Sequence, residues 1–144
     1  MKHTRTLLLA AIIGLSVQAM PALAQDDPAN VAALVFEASQ ARTTTTDDGV
    51  VRIGWTRDDV PVTVDGMRLD PPAGLGSWAA FKPVEGGSMV MGDTVVFEDE
   101  ITPAMDAALA NGLTVTAIHN HFVFDEPKVY FMHIGGHGET AELA

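Results

Sequence analysis

From Gly49 onward apolar and polar residues alternate, and this period of two constrains the chain more than any other feature. Val51, Ile53 and Trp55 alternate with Arg52 and Gly54, the pattern of a strand with one buried face. Val62-Thr63-Val64, Asp65-Gly66 and Met67-Arg68-Leu69 follow. Asp-Gly between alternating segments predicts a two-residue hairpin in a type I′ turn, because both turn positions need positive φ. Pro71-Pro72 ends that hairpin. Ser88 to Phe97 predicts a strand with a bulge at Gly92. Residues 113–118 and 128–134 predict two more strands, joined by a short turn near Asp125-Glu126-Pro127. Gly74 to Pro83 predicts a loop running into a short strand, with Trp78 and Phe81 packed on the core. Its Gly74-x-Gly76-x-x-Ala79 has neither the preceding strand nor the following helix that a dinucleotide fingerprint requires.

Helical periods flank these strands. Asp27 supplies an N-cap and Pro28 a first helical residue. Val31, Leu34, Val35 and Ala38 then form one stripe, predicting a helix over 28–41. Thr43 to Gly49 is a polar connector. Ile101, Met105, Ala108 and Leu109 share a second helical face, which Glu98-Asp99-Glu100 precede at the positive end and Asn111-Gly112 stops. Glu139 to Ala144 begins a short last helix. The fold class expected is α+β, an antiparallel sheet of about five or six strands with two main helices packed against it.

The first 24 residues read differently. Lys2 and Arg5 precede an apolar run from Leu7 to Val17, and Ala22-Leu23-Ala24 follows as a small-x-small site. This is the layout of a secretory signal over 1–24, with a single domain over 25–144, placed in the periplasm or secreted. The run is too short to span a bilayer. Its removal leaves six basic residues against 19 acidic ones, a net charge of −13. Such a surface repels phosphate backbones and anionic membranes, which excludes electrostatic nucleic-acid binding and membrane-surface docking. The absence of cysteine excludes disulfides and a lipid-anchoring thiol, so the domain is held by its core.

Four of the five histidines, His119, His121, His133 and His137, lie within 19 residues. His119 and His121 end a strand, where residues two apart face the same side. A turn centred on 125–126 sets His119 opposite Met132 or His133, making His133 a third ligand. Gly135-Gly136 then lets His137 fold back toward the others. Three neutral imidazoles with an open position form the layout of a catalytic zinc site, and the same donors suit copper, nickel or iron. Glu98, Glu100 and Glu126 are nearby carboxylates in sequence, and Glu126 or Glu98 is the expected catalytic base if the ion activates water for hydrolysis. Two other readings stand beside this one. Met89, Met91 and Met132 offer thioethers for copper handling. Trp78 and Tyr130 offer stacking surfaces for a cell-envelope ligand such as a glycan, with the histidines as a hydrogen-bonded scaffold. Serine catalysis has no nucleophile-elbow motif to support it.

Leu75 to Pro83 (LGSWAAFKP), Val90-Met91-Gly92-Asp93, Glu98-Asp99-Glu100 and the C-terminal HNH…EP…MHIGGHG together resemble the LppY/LpqO-like family of exported bacterial proteins, over residues 28–140. The resemblance implies a compact secreted domain of unknown function, with His119, Asn120, His121, Glu126, His133 and His137 at the motif positions. Asn120 joins Trp78 as an expected ligand contact. The namesake members look like lipoproteins, but this chain has no cysteine to acylate, so a membrane anchor is not carried over. Oligomeric state and native partner stay open.

Overall fold

In the computed structural model, which describes residues 26–144, the alternation becomes one large antiparallel sheet with a small sheet laid over part of it. The expected signal segment lies outside the described residues. Helix α1 (Pro28–Ser39) starts where Asp27 Oδ1 accepts the Ala29 N–H at 3.1 Å, and it stops where Gln40 turns left-handed. A short β1 (Thr44–Thr45) pairs with β2 (Val51–Thr56), so the polar connector contains a hairpin that its threonines did not announce. The small sheet begins with β3 (Thr63–Val64) and β4 (Met67–Arg68), joined at Asp65 and Gly66, whose φ values of 51° and 75° make the predicted turn. One turn of helix, α2 (Pro71–Gly74), leads into β5 (Gly76–Val84) and β6 (Gly87–Phe97). Helix α3 (Ile101–Ala110), β7 (Thr114–His119), β8 (Asp125–Glu126), β9 (Val129–Gly138) and α4 (Thr140–Leu143) complete the order. The six-stranded sheet runs β1-β2-β5-β6-β9-β7, and the three-stranded sheet runs β4-β3-β8. This is the expected α+β class. Among the described residues no helix is long and apolar enough to cross a membrane.

Both faces of the large sheet carry a core, which is why several strands are buried at successive positions. On one face Val51, Ile53, Ala79, Phe81 and Val90 pack against Val31 and Val35 of α1 and Leu143 of α4. On the other, Val95, Phe97, Val129 and Phe131 pack with Val62 and Leu75 beneath the small sheet. The small sheet covers only part of its face. The remainder stays open around Met89 and Met91, which are 47% and 45% exposed.

Four local expectations are corrected. Gly92 is not bulged: it pairs in unbroken register with Ala79 and Ile134. A Cβ there would lie 2.9 Å from both Ile134 Cγ1 and the Trp78 carbonyl oxygen, so the glycine permits close approach, and the irregularity falls in β7 between Val115 and Ala117. Residues 76–84 are a full nine-residue strand rather than a loop with a short strand. Asp125-Glu126 is no turn, because it leaves the large sheet to pair with β3, and the connection from β7 to β9 lengthens accordingly. Gly135-Gly136 is not a fold-back point. Both glycines pair with β6, and Gly135 also pairs with β7, so two ladders hold the backbone straight.

Arg57 closes one end of the fold. Its guanidinium donates to Glu100 at 2.8 and 3.0 Å, to Asp59 at 2.8 and 2.9 Å and to the Val95 carbonyl at 3.3 Å. It also lies 4.8 Å from the centre of the Phe97 ring. These bonds pull Asp59 down to about 2 and hold Glu100 below the usual carboxylate range. Both carboxylates are depressed on folding, so their contribution is present above the unfolded value near pH ~4 and is lost as pH falls toward ~2. The wild type should therefore exceed Arg57→Ala in urea midpoint at pH 5, and the gap should narrow by pH 2. A gap of constant width would contradict this role.

Candidate metal centre

Three adjacent strands of the large sheet bring the centre together. Asp93 on β6 pairs with His133 on β9, and His133 pairs with Ala117 on β7. Opposed residues in an antiparallel ladder share a face, so the Asp93 and His133 side chains project to the same side. His119 stands opposite Phe131 rather than Met132 or His133, because the connection through β8 shifts the register that a tight turn would impose. The diagonal still suffices: His119 Nε2 lies 2.8 Å from His133 Nε2, with ring centres 4.9 Å apart. His121, just beyond β7, lies flat on Phe131 at 3.5 Å between ring centres and 5.0 Å from His119. The imidazoles thus sit at the margin of the apolar cluster containing Phe131 and Phe122. Burial pushes His121 below the ordinary imidazole value. His119 and His133 reinforce that push, and Asp93 opposes it.

Asp93 Oδ1 is buried, has no hydrogen-bond partner and lies 3.9 Å from His133 Nε2. Buried carboxylate oxygens are normally satisfied, and an orphan costs free energy that needs an explanation. Among the described residues no group of three or more histidine, cysteine, aspartate or glutamate side chains stands in metal-holding geometry. The contacts here are a close imidazole pair with one carboxylate oxygen 3.9 Å away.

The remaining expected residues are dispersed. His137 stands opposite Met89 on β9, four residues past His133 and so about 13 Å along the strand. Glu98 and Glu126 share a different cleft, of about 520 Å³, with Phe97, Asp99, Pro127 and Lys128. Glu98 is five residues past Asp93, roughly 16 Å at strand spacing. Glu100 is held by Arg57. Asn120 is exposed between the two histidines of its motif. Trp78 pairs with Asp93 on the histidine side, and the Arg52 guanidinium lies 4.8 Å over its ring. Tyr130 pairs with Val96, one residue out of phase with His133, so it faces the opposite side and shares no stacking surface with Trp78. Met132 is buried on that opposite side as well, lining a cleft with Ala104 and Ala108 of α3. Asp93 was missed by sequence reasoning. Its signal was a single carboxylate within the otherwise apolar and small run SMVMGDTVVF.

Fold and site define an α+β domain that carries an imidazole–carboxylate cluster on one face of its central sheet. Residues 36–144 match the family model described as Domain of Unknown Function (DUF1259), and the chain belongs to that family. No curated protein and no solved structure matches it.

Proposed function

We propose that the domain binds one divalent transition metal ion through His119, His133 and Asp93, leaving a fourth position open to water or a ligand. The observation that carries this reading is the orphaned Asp93 oxygen 3.9 Å from His133 Nε2, which itself lies 2.8 Å from His119 Nε2. Tetrahedral ligands about 2.1 Å from zinc lie roughly 3.4 Å from one another. The His119–His133 and His133–Asp93 separations here, 2.8 and 3.9 Å, lie on either side of that value, each within about 1 Å of it. An ion also satisfies the buried carboxylate. Zinc suits this mixed nitrogen and oxygen set first, with copper, nickel or iron as alternatives. His121 would support the site by packing on Phe131 and His119. An ion with an open position can activate water, and hydrolysis at this centre would take its base from His121 instead of Glu98 or Glu126. The signal-like N-terminus supports export to the periplasm or outside the cell, with residues 25–144 as the working domain.

A second reading rests on the 2.8 Å nitrogen–nitrogen distance itself, which is hydrogen-bond length. One imidazole donates to the other, and the cluster is a metal-free scaffold for an envelope ligand near Trp78. Elemental analysis of the full chain, purified without a histidine tag, separates the two. The metal reading predicts close to one equivalent of metal, lost in His119→Ala. Absence of metal even after reconstitution with zinc and copper would leave the scaffold reading standing.

A further inference from the structure

The open part of the histidine face carries a second set of side chains with nitrogen and sulfur donor atoms. Met89 stands directly opposite His137, and Met91 stands opposite Gly135, across the β6–β9 ladder. All three side chains therefore project from one face. Directly opposed Cβ atoms are about 5 Å apart and diagonal ones about 7–8 Å, within reach of flexible thioether arms. Gly135 supplies the space between them. A Cβ there would lie 3.1 Å from Met91 Sδ, so that sulfur is already folded across onto the β9 backbone.

Exposure sharpens the point. Both methionines are close to half exposed and His137 is exposed, whereas solvated strand positions ordinarily take polar residues. Packing does not account for two thioethers at alternate positions in the middle of an open sheet face.

We infer that Met89 Sδ, Met91 Sδ and the His137 imidazole form a site for a soft monovalent cation, copper(I) in particular. Thioether and imidazole donors together select copper(I) over zinc. The site is separate from the His119–His133–Asp93 centre, because His137 lies about 13 Å along β9 from His133. It stands whether or not that centre binds zinc.

The test uses the full chain under anaerobic, reducing conditions. Copper(I) is titrated against a colorimetric chelator, and silver(I) serves as a redox-inert probe of the methionine methyl NMR signals. One equivalent of copper(I) is expected to resist the chelator, and the Met89 and Met91 methyl signals alone should shift with silver. The double variant Met89→Leu/Met91→Leu and the single variant His137→Ala should each weaken copper(I) binding tenfold or more. Their urea midpoints should stay unchanged, since the positions are exposed. Failure to compete with the chelator would overturn the inference. So would unaltered affinity in the methionine double variant, or loss of copper(I) on His119→Ala alone, which would place the ion at the histidine pair.

Discussion

Gly87→Ala should be the most damaging single-methyl change in the domain, lowering stability by about 4 kcal/mol or more in urea unfolding. Gly87 opens β6 at φ 136°, a conformation L side chains rarely adopt. An added Cβ would overlap the Gly138 carbonyl oxygen and lie 2.8 Å from the Gly138 carbonyl carbon. Both neighbours are backbone, so no rotamer change relieves the clash. The end of β9 would have to move, and with it the buried 2.7 Å contact between Ser88 Oγ and Thr140 Oγ1 that anchors α4. A domain of this size has roughly 5–15 kcal/mol in total, so the loss is a large share of it. Gly66→Ala provides the comparison. It has positive φ but no atom within 4 Å of the added carbon, and it should cost about 1 kcal/mol. Equal costs for the two variants would mean that φ strain alone, and not the approach of β9, matters at Gly87.

Asp93→Asn should move the protein in opposite directions with and without metal. Without metal, the variant replaces a buried carboxyl group, one oxygen of which has no hydrogen-bond partner, with a neutral amide, and stability should rise by about 1 kcal/mol. With zinc at 100 times the wild-type Kd, the wild type gains about 2.7 kcal/mol by mass action. A ligand loss that weakens binding 100-fold leaves the variant a gain of only about 0.4 kcal/mol. Thermal or urea unfolding with and without zinc reads both signs. A variant less stable than wild type under both conditions would mark Asp93 as an ordinary structural residue.

The sequence carried local information well and register poorly. Asp65-Gly66 announced its turn because the turn type dictates the residue types, and Asp27-Pro28 announced the first helix for the same reason. Spacing alone predicts a histidine cluster, and His119, His121 and His133 do come together. Which residue faces which was misplaced, since the register of β7 on β9 depends on a connection that detours through the small sheet. Asp93 is invisible as a partner because β6 meets β9 across α3, β7 and β8, and nothing local encodes that pairing. The two glycines at 135–136 predict flexibility from sequence, as isolated Gly-Gly does. Their paired strand neighbours impose the extended conformation instead. Gly92 suggests a bulge for a related reason, whereas in the sheet it admits Ile134 against the Trp78 carbonyl.

X-ray absorption at the zinc edge, on the zinc-loaded full chain, tests the proposed centre most directly. The proposal predicts two imidazole nitrogens at about 2.0–2.1 Å with the remaining scatterers oxygen, and loss of one imidazole in His133→Ala. A shell with three or four imidazoles, a sulfur ligand, or no bound zinc at all would contradict it.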